Sequence, residues 1–155
     1  MKKIVIIGAN DFQNQLILKA KEMGFETHVF AWQDGSIGER TADHFYPVSI
    51  VEIDEILEKC REIKPDAVAT IASDLANITV SKVAAGLGLP GNTPECIELS
   101  TNKYAMRSAF LKAGLPTPKF YKVDRVIPEL MEMELPVIVK PTDRSGSRAI
   151  TKITS

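Results

Sequence analysis

A lysine and a loop near the end of the chain have the chemistry of a phosphate site. Pro136-Val137-Ile138-Val139 runs into Lys140 and then into Pro141-Thr142-Asp143-Arg144-Ser145-Gly146-Ser147-Arg148. A lysine ending a β-branched strand is a positive charge on a rigid mount. The backbone N–H groups of a Ser145-Gly146-Ser147 loop can turn inward on an anion, and Arg148 adds a guanidinium. Phosphoryl transfer asks for this combination: fixed cations to meet moving charge, and a loop that closes to exclude water. The G-x-x-x-x-G-K-[ST] pattern of the Walker loop is absent. The same residues also suit a solvated hairpin loop, because Gly and Ser are common in turns.

A second group of polar residues follows the first apolar run. Ile4 to Ile7 leads into Gly8-Ala9-Asn10-Asp11-Phe12-Gln13. A dinucleotide fingerprint needs three glycines, for the turn, for the pyrophosphate and for helix packing. Only Gly8 is in place, with Asn10 and Gln13 at the other two positions. No acidic residue ends the second strand, which runs Val29-Phe30-Ala31-Trp32. A bound dinucleotide is therefore disfavoured, and a nicotinamide-dependent oxidoreductase is the weakest of the functional readings. A helix N-terminus at the carboxyl edge of a parallel sheet still offers free N–H groups to an anion. A substrate cleft lined by Asn10, Asp11, Gln13, Ser73 and Asp74 is one expectation; the plainer one is that Asp11 and Asp74 only cap helices.

The elements that must position these residues are read from periodicity. Ile4 to Ile7 is a strand buried on both faces. A helix from Asp11 to about Met23 follows, with Phe12, Leu16, Ile17, Ala20 and Met23 on its apolar face. Strands are expected at Glu26 to Trp32, Phe45 to Val48 and Ala67 to Ile71. Gln33 to Asp43 reads as a polar loop. Helices are expected at Asp54 to Ile63 and Leu75 to Leu87. This alternation predicts an α/β fold with a Rossmann-like, mainly parallel sheet over residues 1–92. Two prolines and a glycine in Leu89 to Pro94 then mark a boundary. Residues 93–155 read as a linker helix from Glu95 to Ala113, broken near Asn102, and the beginning of an α+β subdomain. In that part, strands are expected at Phe120 to Val123, Val137 to Lys140 and Ala149 to Ile153, and a short helix at Val126 to Met133.

Bulk composition narrows the classes. Among 155 residues, 45% are hydrophobic and 25% charged, which is globular usage. A net charge of −1 provides no global field for nucleic acid or an acidic membrane. No apolar run nears the roughly 20 residues of a membrane span. Two lysines and four apolar residues before Gly8 fall short of a secretory leader. A cytoplasmic location is the expectation. Cys60 and Cys96 are far apart and read as reduced thiols. With only His28 and His44 and no ligand-spacing motif, no metal site is predicted.

The segment Lys-Pro-Thr-Asp-Arg-Ser-Gly-Ser-Arg after Pro-Val-Ile-Val resembles the phosphate loop of the ATP-grasp superfamily, whose members include biotin carboxylase and the carbamoyl-phosphate synthetase large subunit. Thr101-Asn102-Lys103-Tyr104-Ala105-Met106-Arg107, followed by Ala113-Gly114-Leu115-Pro116-Thr117-Pro118, is similar to that superfamily's earlier motif, a lysine opening a helix and then a Pro-x-Pro turn. The first ninety or so residues look like its N-terminal, pre-ATP-grasp domain, which shares a Rossmann-like sheet and generally binds no dinucleotide. The resemblance implies that Lys103 and Lys140 contact ATP phosphates and that Ser145, Gly146, Ser147 and Arg148 form a moving lid. One departure is Ala149, where many relatives have glycine. The nearest look is to carbamoyl-phosphate-synthetase-like ligases.

The function so implied is ATP-dependent joining of a carboxylate to an amine or ammonia through an acyl phosphate, with ATP and Mg2+ as cofactors. The resemblance also implies that the metal-binding half of such an enzyme lies beyond Ser155. On that expectation the chain is an N-terminal fragment, inactive alone, whose exposed sheet edge invites self-association. The alternative from another class is a non-catalytic α/β module that binds a small anion or a partner subunit.

Overall fold

A computed structural model describes residues 1–125, 133–143, 146–147 and 149–154. It divides the chain into two units, Met1–Ile97 and Glu98–Ser155.

The first unit is built on strand β1, Lys2–Ile7, whose β-branched run leaves Val5, Ile6 and Ile7 without solvent exposure. Alternate residues point to opposite faces of a strand. Val5 and Ile7 thus join one core cluster with Phe30, Ile56, Cys60, Val68 and Val83, while Ile4 and Ile6 join another with Ile17, Ala20 and Val29. Strands β2 (Phe25–Phe30), β3 (His44–Tyr46) and β4 (Ala67–Ala69) complete a parallel sheet in the order β3-β2-β1-β4. The order reverses between β1 and β4, the switch point at which open α/β sheets form a crevice beyond their carboxyl ends.

Helices cover both faces. Helix α1 (Asp11–Glu22) packs through Ile17 and Ala20 on one side. Helices α3 (Ile53–Ile63) and α4 (Asp74–Leu87) pack through Ile56, Cys60, Ile63, Ala76 and Val83 on the other. Burial pushes the Cys60 thiol up to about 12; Cys96 is exposed. Gly88, with φ +69, ends α4 in the left-handed region that a glycine enters without strain.

Several expectations are corrected. Asn10 and Ser73, not Asp11 and Asp74, cap α1 and α4, and the two aspartates occupy the first helical positions. Phe12 and Met23 are exposed, while Gln13 and Asn14 turn inward. The expected stripe thus holds for Leu16, Ile17 and Ala20 and fails at its two ends. The polar loop after β2 holds a short helix, α2 (Ile37–Thr41). Strands β2 and β4 end earlier than expected, leaving Trp32 and Ile71 exposed.

At the edge of the sheet, His28 of β2 and His44 of β3 are register partners with stacked rings 4.5 Å apart. Burial holds the His28 imidazole below its usual pKa, and the neighbouring His44 adds to the shift. Asp43, just before β3, accepts from Lys21 Nζ at 2.7 Å and from Thr27 N and Oγ1 at 2.9 and 2.8 Å. The Lys21 hydrogen bond is the main cause that holds its carboxyl down to about 2.

The expected helix from Glu95 is two helices, α5 (Pro94–Thr101) and, in the second unit, α6 (Lys103–Lys112), separated at Asn102. Strands β5 (Val137–Val139) and β6 (Thr151–Ile153) pair antiparallel. Phe120 to Val123 forms no strand, and the helix expected from Val126 lies outside the described residues except for Met133. Among the described residues no helix is long and apolar enough to cross a membrane.

Candidate functional site

In the first unit, a cavity of about 160 Å3 opens at the carboxyl ends of the strands, lined in part by Gly8, Asn10, Gln13, Trp32, Asp34 and Ser73. Its floor is the turn from β1 to α1. Gly8 has φ +100, and its N–H donates to Phe30 O at 2.8 Å. A Cβ at Gly8 would lie 3.1 Å from Gln13 Cγ and Cδ, so the missing side chain is what lets Gln13 lie against this turn. Asn10 Oδ1 accepts from Phe12 N at 2.9 Å and Gln13 N at 3.4 Å, which satisfies N–H groups that the helix itself cannot.

Gln13 is 1% exposed and spans the switch point, its Nε2 donating to Ile71 O beyond β4. Its Oε1 has no hydrogen-bond partner. A buried acceptor left unmet costs about 1–3 kcal/mol, and Gln13 is one of the cavity's lining residues. Beyond β4, Thr70 Oγ1 donates to Ile7 O at 2.7 Å, and Ala72, just before the lining residue Ser73, stands at φ +55. Only a small share of non-glycine residues adopt that conformation, and such strain gathers at binding sites. Ser73 follows, its Oγ accepting from Ala76 N at 3.2 Å.

Of the expected cleft residues, the fold brings Asn10, Gln13 and Ser73 together and leaves the exposed Asp11 and Asp74 outside the lining. Asp34 and Ser36 were missed. They come from the loop ahead of α2, where Glu39 Oε1 accepts from Asp34 N, Gly35 N and Ser36 N at 2.8, 2.6 and 3.1 Å. Asp34 in turn accepts from the Ser36 hydroxyl, which lowers its carboxyl pKa. The signal was legible: Ser36-Ile37-Gly38-Glu39 is a capping-box pattern. Gly38 is also required, since a Cβ there would lie 2.6 Å from Ala9 O.

In the second unit, Lys103 opens α6. Asn102 Oδ1 caps that helix, accepting from Tyr104 N at 3.0 Å and Ala105 N at 3.2 Å. Lys103 N donates to Thr142 O at 2.8 Å, which ties the start of α6 to the loop that leaves β5 two residues after Lys140. Lys103 is half-buried and Lys140 exposed. Arg107 Nη1 donates to Thr117 Oγ1 at 3.1 Å and so holds the Pro116-Thr117-Pro118 turn against α6. In the loop, Gly146, Ser147 and Ala149 all have positive φ, at 69, 57 and 54°. Ser145 and Arg148 lie outside the described residues. The left-handed backbone at Ala149 is the conformation a glycine would take there without strain.

No protein-family model matches the chain. Over 152 residues it is 22% identical to a formate-dependent phosphoribosylglycinamide formyltransferase of Prochlorococcus marinus, a match that covers 95% of the chain and 39% of the relative. The structure of a phosphoribosylglycinamide synthetase from Anaerococcus prevotii superposes with a TM-score of 0.73 at 27% identity, covering 99% of this chain and 39% of that one. The biotin carboxylase domain of the Hydrogenobacter thermophilus 2-oxoglutarate carboxylase, solved with MgADP, ADP and bicarbonate, superposes with a TM-score of 0.80 at 21% identity, over 99% of this chain and 37% of that one. The chain therefore spans about two fifths of the length of these proteins. By its sheet order and by these likenesses, the chain has the fold of the N-terminal part of ATP-grasp enzymes.

Proposed function

We propose that this chain is the N-terminal portion of an ATP-dependent ligase that activates a small carboxylate as an acyl phosphate for capture by an amine or ammonia. Lys103 and Lys140 take the ATP phosphates, and the loop through Ser145, Gly146, Ser147 and Arg148 closes over them. The switch-point cavity of the first unit takes the small substrate, with Asn10, Gln13 and Ser73 as its polar contacts. One observation carries the reading: the 2.8 Å bond from Lys103 N to Thr142 O joins two motifs that lie some forty residues apart in the sequence. Two relatives lend it support, one named for its dependence on formate and one holding ADP and bicarbonate.

The chemistry asked of these residues is positioning and charge. Two ammonium groups at fixed places offset charge on the phosphates, and a closed loop keeps water from the acyl phosphate. Magnesium, implied by the family, needs oxygen ligands around the phosphates. Among the described residues no group of three potential ligands gathers beside Lys103 or Lys140, so no step is assigned to a metal. The proposal includes no turnover by the chain alone; ADP release coupled to a carboxylate would overturn that part. It also includes self-association through the β5–β6 ribbon, where Ile138 and Val139 are 54% and 51% exposed. A monomer in concentrated sedimentation runs would remove it.

The phosphate assignment is tested by calorimetric titration of ATP into the chain and into Lys103→Ala and Lys140→Ala. Each substitution is expected to weaken binding tenfold or more, roughly 1.4 kcal/mol. No binding, or equal binding by all three proteins, sinks the assignment for this chain.

A further inference from the structure

The geometry points to a transition-metal site at the outer edge of the first unit's sheet, formed by Glu26, His28 and His44 and suited to Zn2+ or a similar borderline cation. Nothing in the ligase reading uses these residues. Glu26 and His28 are two apart on β2 and therefore share a sheet face. His44 is the register partner of His28 on β3. Glu26 Oε1 lies 3.2 Å from His28 Nε2 and 3.0 Å from His44 Nε2. A tetrahedral ion with arms of about 2.0–2.1 Å sets its donors roughly 3.3 Å apart, so both edges already have the right length. All three donor atoms lie within 4.8 Å of one another. His44 is 48% exposed in its side chain and has room to turn its ring onto a shared ion.

The second observation is independent of this clustering. His28 is 4% exposed, yet its Nε2 makes no well-aligned hydrogen bond and is aimed at Glu26 Oε1, 3.2 Å away. Its other nitrogen, Nδ1, lies 3.0 Å from the Tyr46 hydroxyl. In the tautomer that donates Nδ1–H to that hydroxyl oxygen, the Nε2 lone pair is free for an ion, as metal-bound imidazoles are usually held by their second nitrogen. Lys3, the register partner of Glu26, sends its ammonium away to Ile63 O at 3.2 Å. The donor set of two imidazoles and one carboxylate suits Zn2+, Co2+ or Ni2+, whereas Mg2+ and Ca2+ take all-oxygen sets. Three protein ligands leave a fourth position to water. The bound ion would fasten the three-residue strand β3 to β2.

The full chain is titrated with Co2+, which reports its geometry through visible absorption, and Zn2+ is then added in competition. One equivalent of cobalt with intense tetrahedral bands, displaced by zinc, is expected. His44→Ala and Glu26→Gln each weaken uptake tenfold or more while retaining the apo protein's circular dichroism, and they abolish the rise in melting temperature that an ion bound only to the folded state produces. His44 and Glu26 are chosen because both are more exposed than His28. Absence of one-to-one uptake, uptake that survives both substitutions, or a thiolate charge-transfer band placing the ion on Cys96 overturns the site.

Discussion

Gln13 shows how a single side chain can belong to the fold and to the site together. Its amide nitrogen ties the segment after β4 to α1, its amide oxygen is buried without a hydrogen bond, and the residue lines the cavity. Asp43 is the structural counterpart, with Lys21 and Thr27 gathered on one carboxylate. Its folded pKa is about 2 against the ordinary 3.8, so the folded state binds its proton less readily than the unfolded chain does. The stability from this group is full above the unfolded value and is lost as pH falls through about 2. Both Lys21 and Asp43 are more than a third open to solvent by side chain, at 38% and 35%, so screening keeps the effect small. Thermal midpoints of the wild type are expected to fall across that acid window. Asp43→Asn should lower the plateau at neutral pH and flatten the acid limb; parallel curves would show that Asp43 plays no part in it. At this scale the sequence was readable for Gly8, which ends β1 at φ +100 as a local turn requires. It was misleading for Asp11 and Asp74, because a cap is chosen by backbone angle and not by charge. Asn10 at φ −72, ψ −178 has the extended geometry that a cap needs.

Among the elements, the buried strands were the most legible. A β-branched run such as Ile4 to Ile7 has one stable environment, between two layers of helix. The short helix α2 was hidden because its stabilisation comes from Glu39 accepting three backbone N–H groups, not from an apolar stripe. The pairing of His28 with His44 was not readable at all. Register between parallel strands is set by the crossover that connects them, and no spacing rule covers fifteen intervening residues. The division between α5 and α6 depends on Asn102, whose side chain supplies the cap of α6. Asn102→Ala is expected to cost about 1 kcal/mol, read as a lower urea midpoint, and to speed amide exchange at Tyr104 and Ala105. The same substitution should weaken ATP binding under the proposed function, because Lys103 is the residue that this cap sets in place. Unchanged exchange at those two amides would show that the helix start is held by something else.

For the whole molecule, both core clusters lie in the first unit, and α6 in the second buries no residue completely. Stability is thus unevenly shared along the chain, and the sheet-bearing unit is expected to be the last part to open. Cys60 makes that expectation measurable without any label being built in. Its sulfur has no solvent exposure and its pKa stands near 12, so the reactive thiolate is scarce while α3 stays on the sheet. Cys96, exposed on α5, is open to reagent at all times. A thiol-specific reagent should therefore titrate one cysteine at once and the other slowly. The slow phase is an internal clock: its rate counts how often the core of this protein comes apart, and it should quicken in step with every substitution that loosens α3. Two fast equivalents in the folded protein would show that α3 leaves the sheet far more often than its packing implies.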